Sequence, residues 1–527
     1  VQTRLRLGQY KEAREAAATY RDIFGAENYF LEVMDHGIDI ERDVRADLLR
    51  LGKDLGLPLL ATNDAHYVHE HQADMHDDLL CIAAGSKGVT KNSPKRFRFS
   101  GSGYYIKTAA EMRHPWRDFP EACENTLLVA EMIGDYDDVF AYADLMPQAQ
   151  IPEGETQESW FRKEVLNGIA ERFPEGVPEE HTRQVEYEMD VIAGKGYASY
   201  FLVVADFINW AKENGIRVGP GRGSGAGSDC AYALRITDLD PIEHHLIFER
   251  FLNPERDSMP DFDIDFDDQR RHEVVDYVAR KYGPDHVGMV NTFGRLKAKQ
   301  ALKDIARTYE VPYSQAEALT KAYPADAQGR SLSIKDVLDP EHPRYIEGEK
   351  FREMAASDPA MKMVVEHAQE VEGRLRGYGV HAAAVIISPK PLLDVLPMHR
   401  RNEDGALITG YEYPACEDMG LVKMDFLGLK NLTTVDRAVR NVQENRGITV
   451  DLDALTRDPT DPAVYALLQR AETMGIFQFE GTGYRNLIRL MRPTEFEDIS
   501  ALGALYRPGP MGAGSHISYA LRKNGQE

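Results

Sequence analysis

A strand of alternating aspartates and large apolar residues constrains this sequence more than any other feature. The segment 260–266 reads Pro-Asp-Phe-Asp-Ile-Asp-Phe. Because successive side chains of a strand point to opposite faces, the pattern predicts a buried apolar face and an acidic face, which comprises Asp261, Asp263 and Asp265. Three like charges in a row destabilise a sheet unless cations neutralise them. The pattern therefore favours a divalent-metal site over a solvated acidic loop.

Spacing narrows the kind of metal site. An EF-hand loop that started at Asp261 would need Gly and Glu where the sequence has Phe266 and His272. On a strand, residues i and i+2 are roughly 6.6 Å apart, so two neighbouring carboxylates can flank metal ions that lie about 3.5–4 Å apart. The spacing leaves open which two aspartates do so. A second predicted strand, in which Lys423 and Asp425 share one face, offers a further ligand.

A glycine-rich segment precedes the acidic strand. Residues 219–228, called here the glycine loop, read Gly-Pro-Gly-Arg-Gly-Ser-Gly-Ala-Gly-Ser. A turn of this kind between a strand and a helix presents backbone N–H groups to phosphate oxygens. The segment has no lysine, which excludes a P-loop.

Two interpretations of the glycine loop remain. A dinucleotide fingerprint fits Gly221–Ala226, with Glu243 at a suitable distance. It would make the protein an NAD-type dehydrogenase, but it leaves the acidic strand unexplained. Alternatively, a Gly223-Ser224 turn ahead of an Asp-x-Asp strand has the order of a nucleotidyltransferase, in which the turn cradles a triphosphate. Arg222 would then add a charge-assisted phosphate contact.

Composition bounds the remaining possibilities. The 527 residues allow three or four domains, and the sequence contains no apolar run of about 18 residues that could span a membrane. It opens on Val1 without a signal-peptide core, so we expect a chain trimmed from a longer protein. Four scattered cysteines predict a reducing cytoplasm. The net charge of -24 argues against nucleic-acid binding by the surface as a whole, but an acidic protein can still carry a local basic groove.

The remaining patterns predict a helical insertion within an α+β domain. Strands are predicted at 57–62, 215–218, 380–388 and 420–426. Helices are predicted at 269–282 and over most of 295–370, with an interruption near 323–345.

Four sequence blocks together closely resemble one known family. They are 218–228, Phe-Glu-Arg-Phe-Leu-Asn-Pro-Glu-Arg (248–256), the acidic strand 260–266 and Lys-Met-Asp-Phe-Leu-Gly-Leu (423–429). They resemble blocks of the alpha subunit of bacterial DNA polymerase III, the C family of replicative polymerases, and the resemblance extends along the whole chain. It implies a multidomain α+β fold: a polymerase-beta-like nucleotidyltransferase palm with an inserted helical thumb, preceded by part of a PHP α/β barrel and followed by the start of a helical fingers domain.

The resemblance also implies domain boundaries. They are 1–130 (the C-terminal part of the PHP domain), 131–292 (the first part of the palm), 293–372 (the thumb), 373–430 (the second part of the palm) and 431–527 (the start of the fingers). We expect both ends of the family's proteins to be missing, including most of the fingers and the clamp-binding region.

Site residues carry over from the resemblance position by position. The catalytic triad, which binds two Mg²⁺ ions, falls on Asp261, Asp263 and Asp425, with Asp265 as support. The nucleotide-phosphate contacts fall on Arg222, Gly223, Ser224, Arg250 and Lys423.

A basic cluster lies at the start of the predicted thumb. It comprises Arg295, Lys297, Lys299, Lys303 and Arg307, against the single acid Asp304. The first, third and fourth of these recur at i, i+4 and i+8, which predicts one shared helical face. On a thumb, this face is expected to contact DNA phosphates.

The N-terminal region resembles the later part of a PHP domain. Asp64-x-His66 at a strand end matches the last metal-ligand motif of that domain, which binds Zn²⁺ or Mn²⁺ when complete. The earlier His-containing motifs should precede residue 1, so no working nuclease is expected. We predict that His69, His71 and His76 lie at the surface. His381 is predicted to be a packed core residue.

The implied function is template-directed DNA synthesis by a DNA-directed DNA polymerase. Deoxynucleotides would pass from dNTPs to a primer 3′-hydroxyl with two Mg²⁺ ions at the palm. The implied partners are primer-template DNA and dNTPs, with a sliding clamp and other replisome subunits for the full-length protein, in the bacterial cytoplasm and without a membrane. The alternative is a catalytically incomplete DNA-binding or scaffold fragment of the same replicase.

Overall fold

A computed structural model gives the fold of the chain. It describes residues 1–527 except 85–87, 135, 137–141, 256–258, 327–330 and 402–404, and except the side chain of Asp453. Arg256, the last residue of the block 248–256, therefore lies outside the described residues. Two compact units alternate along the chain: Val1–Phe140 with Phe293–Tyr378, and Ala141–Thr292 with Gly379–Glu527.

Helices and strands make up both units. The helices are α1 (Gln2–Arg6), α2 (Tyr10–Phe24), α3 (Asp39–Leu55), α4 (Ala73–Ala83), α5 (Ala109–Arg113), α6 (Glu121–Met132), α7 (Gln157–Arg172), α8 (Glu179–Gly194), α9 (Ala198–Glu213), α10 (Asp229–Ala233), α11 (Arg271–Tyr282), α12 (Ala298–Thr308), α13 (Tyr313–Ala322), α14 (Ile334–Leu338), α15 (Glu349–Ser357), α16 (Pro359–Val371), α17 (Tyr413–Asp418), α18 (Lys430–Arg446), α19 (Leu452–Arg457), α20 (Pro462–Gln469), α21 (Thr482–Met491), α22 (Phe496–Leu505), α23 (Pro508–Gly512) and α24 (Ser515–Lys523). The 3-10 helices are Glu70–Gln72, His114–Trp116, Gly223–Gly227, Phe248–Arg250, Tyr345–Gly348 and Leu392–Asp394. The strands are β1 (Leu31–Val33), β2 (Leu59–Ala61), β3 (Asp263–Asp267), β4 (Val287–Arg295), β5 (Leu375–Ile387), β6 (Met398–Arg400), β7 (Leu407–Glu412) and β8 (Val422–Leu429).

The unit that contains residue 1 has two apolar cores. One lies where β1 and β2, a parallel pair, pack with α3 around Leu51 and Trp116. The other joins α4, α12, α13, α15 and α16 around Leu302 and Phe351. Helix α12 shows why these helices form, since its Ala301, Leu302 and Ile305 recur at helical spacing and are all buried.

The second unit is built on a mixed sheet of order β3-β8-β5-β4-β7-β6. Strands β3 and β8 run parallel, and β5 runs antiparallel to β8 on its other side. The apolar side of β3 contributes Ile264 and Phe266 to a core shared with the apolar helix α9. The core fixes which face of β3 is free, so its aspartates point away from α9.

Most predicted elements are formed, with changes at their ends. The acidic strand begins at Asp263, and Asp261 and Phe262 precede it outside the regular strand. The strand predicted at 215–218 is reduced to one isolated bridge between Val218 and Phe266, because Pro220 and Gly221 follow at once and turn the chain. The strand predicted at 380–388 begins earlier, at Leu375.

Within the described residues, no single helix is both long and apolar enough to cross a membrane. Only α8 and α9 taken together meet that length and composition, and they are bent by 113° at their junction.

Candidate active site

The register of β3 and β8 places two of the predicted catalytic aspartates side by side. Asp263 is the direct partner of Asp425 in this parallel pair. Neighbouring strands lie about 4.8 Å apart, so two like charges meet on one face. Asp425 is buried, whereas Asp263 is exposed. The structure thus brings together carboxylates that lie far apart in the sequence.

Lys423 joins the third aspartate to this pair. It precedes Asp425 by two residues on β8, so both side chains share one face. Its Nζ lies 3.2 Å from Asp261 Oδ2 and also forms an ion pair with Asp425 Oδ2. Burial alone would lower the pKa of Lys423, but the hydrogen bond to Asp425 and the charges of both carboxylates raise it.

The pKa of Asp261 is raised, whereas an ordinary ion pair would lower the pKa of a carboxylate. Burial raises the pKa of Asp261 even though Lys423 acts to lower it. Repulsion from Asp425 and Asp263 adds to the increase. The acidic face therefore holds more negative charge than its single ammonium group compensates, and an added cation would be stabilised there.

Arg222 of the glycine loop faces the other aspartates of this strand. Its Nη1 lies 3.3 Å from Asp265 Oδ1, and its Nε lies 3.9 Å from Asp263 Oδ2. The side chain is half exposed. Asp265, predicted as support, thus holds the arginine that was predicted to contact phosphate.

The glycine loop passes directly beside Asp263. Gly223 has φ +64°, a left-handed conformation that favours glycine, and a Cβ added there would lie 3.8 Å from Asp263 Oδ2. Ser224 is exposed next to it. Because only an isolated bridge precedes the loop and the five-residue α10 follows it, the strand-turn-helix of a dinucleotide fingerprint is not formed.

The segment that carries Arg250 touches the far end of the loop. A Cβ added to Gly227 would lie 2.9 Å from the carbonyl oxygen of Ile247, so the two backbones are in close contact. Phe248 is buried and anchors this 3-10 turn, whereas Arg250 is exposed.

Two tyrosines that the sequence patterns did not reveal support the site. Tyr200 of α9 is buried, and its hydroxyl accepts the Phe262 N–H at 3.0 Å, which fixes the backbone next to Asp261. The ring of Tyr413 lies 5.3 Å from Lys423 Nζ. Burial raises the pKa of both phenols. Neither residue could be identified from the sequence patterns, because Tyr200 is distant in sequence from Phe262 and Tyr413 lies outside the strand that carries Lys423.

The acidic face has the chemistry of an Mg²⁺ site. Asp425 Oδ1 is buried without a hydrogen-bond partner, which leaves one carboxylate oxygen free for a cation. Carboxylate oxygens are the ligands that Mg²⁺ prefers. As the side chains stand, no three His, Cys, Asp or Glu residues in the described part of the chain converge to hold a metal ion, and Lys423 lies between Asp261 and Asp425. The carboxylate oxygens therefore fit Mg²⁺, and the Lys423 ammonium group would have to move away from Asp261 and Asp425 for the ion to bind.

The predicted basic helical face is only partly correct. Arg295 is the last residue of β4, so of the three residues predicted to share a helical face only Lys299 and Lys303 lie on α12. Lys297 occupies the N-cap position of α12 without a side-chain capping hydrogen bond, and Lys299 Nζ lies 5.9 Å from the ring of Tyr323. The helix starts later than expected because the chain is still extended at position 295.

The remaining residues of the basic cluster differ in exposure, and Arg307 forms contacts within the protein. Arg307 donates to the carbonyl oxygen of Val89 at 2.9 Å and lies 3.8 Å from Asp304. Arg295, Lys297 and Lys299 are exposed.

Asp64 and His66 pair with each other after β2. Their Oδ2 and Nε2 atoms are 3.1 Å apart. The ring of His76 lies 5.0 Å from that of His66. His76 is half buried, which lowers its pKa, so the prediction of a surface residue is only partly correct for His76. His69 and His71 are exposed, as predicted.

Two further histidines, His36 and His381, form contacts within the protein. His36, which the sequence did not single out, is buried and stacks on Tyr104 at 4.4 Å, with its Nε2 3.0 Å from Asn63 Oδ1. His381 is half buried instead of packed in the core, because its Nδ1 accepts the N–H groups of Ala383 and Ala384 within its own strand.

Two family models match the chain. One, described as the bacterial DNA polymerase III alpha NTPase domain, matches residues 159–428. The other, described as the bacterial DNA polymerase III alpha subunit finger domain, matches residues 431–527. The first match alone covers just over half of the 527 residues.

Curated relatives match along the whole chain. The DNA polymerase III subunit alpha of Mycobacterium tuberculosis strain H37Rv is 52% identical over 530 residues, which cover 100% of this chain and 44% of that protein. The Mycobacterium leprae protein of the same name is 51% identical over 530 residues, covering 100% and 45%. The one from Thermus aquaticus is 38% identical over 568 residues, covering 96% and 45%. The chain thus spans less than half the length of these relatives.

Proposed function

The chain belongs to the bacterial DNA polymerase III alpha family, and we propose that its acidic face carries out template-directed DNA synthesis. The observation that carries this proposal is the pairing of Asp263 with Asp425 beside the glycine loop. Two carboxylates on adjacent strands, next to a turn suited to phosphate, form an arrangement that nucleotidyl transfer can use. The reaction would join dNTPs to a primer 3′-hydroxyl.

In this proposal Asp261, Asp263 and Asp425 hold two Mg²⁺ ions. Bound there, the ions would activate the primer hydroxyl and neutralise charge on the triphosphate. Asp425, fixed in the core of the sheet, supplies the buried and unpaired Oδ1. Tyr200 keeps the backbone next to Asp261 in place through the Phe262 N–H. These contacts hold the carboxylates in position before the substrate arrives.

The cations around the acidic face would then bind the triphosphate. Arg222 and Lys423 pair with aspartates in the absence of substrate, and both can turn toward phosphate oxygens when metal ions take over the carboxylates. Gly223 and Ser224 offer an exposed turn beside Asp263, and Arg250 an exposed guanidinium on the segment behind it. The five residues are therefore proposed as nucleotide contacts.

The roles of the domains are likewise proposed from the family to which the chain belongs. We assign residues 131–292 and 373–430 to a palm, 293–372 to a thumb, 1–130 to part of a PHP domain and 431–527 to the start of the fingers. Lys299, Lys297, Lys303 and Arg295 would contact primer-template DNA. Asp64 and His66 would be the remnant of a Zn²⁺ or Mn²⁺ site without nuclease activity here.

Cellular context is proposed from the same family. In a full-length protein we expect a sliding clamp and other replisome subunits as partners. A cytoplasmic location would suit the four free cysteines of the chain.

A single substitution tests the proposed chemistry. Asp263→Asn in the full-length protein should reduce Mg²⁺-dependent primer extension by at least about a thousandfold, because an amide cannot replace a metal-binding carboxylate. The thermal unfolding curve should stay unchanged, since Asp263 is exposed. The matched control is Asp276→Asn, an exposed aspartate on α11.

The same assay separates the alternatives. Normal extension by Asp263→Asn would refute the assignment of the acidic face. Extension by the full-length protein but not by residues 1–527 would identify this chain as a catalytically incomplete part of the same replicase.

A further inference from the structure

A buried carboxylate lies behind the glycine loop. Glu188 of α8 is fully buried, and four donors converge on it. Its Oε2 accepts the Ser228 hydroxyl at 2.7 Å and the Cys230 N–H at 3.0 Å. Its Oε1 accepts the Asp229 N–H at 3.0 Å and the Gln184 side-chain amide at 2.9 Å. A buried charge is retained only when it is hydrogen-bonded in this way.

The donors belong to the turn that ends the glycine loop. Ser228 is the last residue of the loop and also caps α10 by accepting the Ala231 N–H at 3.1 Å. Burial raises the pKa of Glu188 to about 7, although the four hydrogen bonds act to lower it. Because all four of these partners are donors, their hydrogen bonds stabilise the ionised form.

The glycine loop is also in close contact with the acidic strand and with the segment that carries Arg250. A Cβ added to Gly225 would lie 2.8 Å from the ring of Phe262. At Gly227 it would lie 2.9 Å from the Ile247 carbonyl oxygen. The loop is therefore held both by Glu188 and by its close contact with the acidic strand, and its position beside Asp263 depends on both.

A second contact ties the same helix to the same turn. His181 of α8 is buried, and its Nδ1 lies 2.9 Å from Asp229 Oδ2. Its Nε2 lies 3.3 Å from Asp240 Oδ2. His181 and Glu188, two turns apart on α8, thus contact residues 228–229 and support the end of the glycine loop.

We propose that Glu188 is a positioning residue that fixes the glycine loop where the incoming triphosphate binds. It acts through Ser228, Asp229 and Cys230 and does not touch the nucleotide. This inference rests on the proposed polymerase function and adds to it a residue on an element that carries none of the predicted site residues.

Steady-state kinetics of the full-length protein test the inference. Glu188→Gln keeps the shape of the side chain and one acceptor oxygen but places an amide N–H₂ group against the donors of the other oxygen, so the anchor of the loop is weakened. The KM for dNTP should rise about tenfold, the effect of one lost charge-assisted hydrogen bond, with kcat changed by less than about threefold. Glu186→Gln, an exposed neighbour on α8, should leave both values unchanged. An unchanged KM in Glu188→Gln would overturn the inference.

Amide hydrogen exchange gives a readout that does not depend on activity. Glu188→Gln should speed exchange at Asp229 and Cys230, whose N–H groups it accepts, and leave the interior of α9 protected. Faster exchange with an unchanged KM would show an anchor that does not position the nucleotide, and would refute the inference while polymerase activity stands. Loss of activity in the Asp263→Asn test concerns the proposed function alone.

A second variant covers the case in which Glu188→Gln does not fold. Ser228→Ala removes one of the four contacts and keeps the carboxylate. It should raise the KM for dNTP in the same direction by about threefold to tenfold. A Ser228→Ala protein with a wild-type KM would count against the inference by itself.

Discussion

At the scale of single residues, Lys423 forms ion pairs with two carboxylates that no other described cation contacts. Its ammonium group touches Asp261 and Asp425, and the Lys423 side chain is 17% exposed, so water screens the interaction only partly. Removing one partner of such a group leaves uncompensated charge in a poorly solvated place. The stability of the site and its affinity for cations are therefore linked.

Lys423→Met should destabilise the protein. We expect the free energy of unfolding to fall by about 2–3 kcal/mol, because the buried Asp425 and the crowded Asp261 lose their cation. Millimolar Mg²⁺ should recover part of this loss, since the freed carboxylates can bind it. Urea unfolding with and without Mg²⁺ measures both effects, with the exposed Lys430→Met as control. Equal stability of Lys423→Met and wild type would show that the ammonium group is not held as described.

Local sequence patterns were sufficient to predict the two faces of the acidic strand, but not the residues that contact it from distant parts of the sequence. Alternation from Asp261 to Phe266 was enough to predict the acidic strand, because side-chain direction in a strand depends only on sequence position. The pairing of Lys423 with Asp261 and the support from Tyr200 were not predictable, since they arise from sheet order and helix packing. Glu188 has no local signal at all, because it is an ordinary glutamate on an amphipathic helix until α10 is placed against it.

At the scale of elements, α4 and α16 are joined by a titratable pair. His367 Nδ1 of α16 lies 2.6 Å from Asp78 Oδ2 of α4, and the Tyr309 hydroxyl lies 3.2 Å from the same nitrogen. Lys91 also lies 2.8 Å from Asp78 Oδ1. The hydrogen bond to Asp78 raises the pKa of His367, although burial acts to lower it.

This pair should make stability depend on pH. A histidine whose pKa is higher in the folded than in the unfolded state stabilises the protein fully below its unfolded pKa, and the contribution is lost as pH rises through the folded pKa. The difference in unfolding free energy between wild type and His367→Gln should thus shrink from about pH 5.5 to about pH 9. Urea titrations at the two pH values measure it, with the exposed His114→Gln as control. A difference that does not vary with pH would contradict the pairing.

Helix ends were harder to predict than helix faces. The basic residues from 295 to 303 have helical spacing, but β4 extends through Arg295 and α12 starts at Ala298. Strand pairing overrides the spacing, because the N–H of Leu296 donates to the Arg374 carbonyl oxygen at 2.9 Å. A single sequence does not reveal that partner.

At the scale of the whole molecule, the charge of -24 makes any DNA contact depend on a few cations. DNA phosphates are repelled by most of such a surface, so a local basic cluster has to supply the attraction. Lys299 and Lys303 on α12 are the predicted centre of that cluster.

Reversing these two charges should weaken DNA binding in a salt-dependent way. For Lys299→Glu with Lys303→Glu in the full-length protein, we expect the slope of log affinity against log salt to fall by about 2, since each lost phosphate contact removes about 0.9. The matched control is Lys335→Glu with Lys350→Glu, two exposed residues on α14 and α15 that change the total charge equally. Equal slopes for the two double variants would show that only overall charge matters.

The pairing of β3 with β8 has a consequence for synthesis of the protein. Asp263 leaves the ribosome long before Asp425, and translation at about 5–20 residues per second separates them by roughly 10–30 seconds. During that interval β3 has neither its neighbouring strand nor Lys423, so Asp261 lacks its cation and Asp263 lacks its partner Asp425. A nascent chain that ends before β8 cannot have assembled the site, and we therefore expect metal binding to appear late in biosynthesis as a single event.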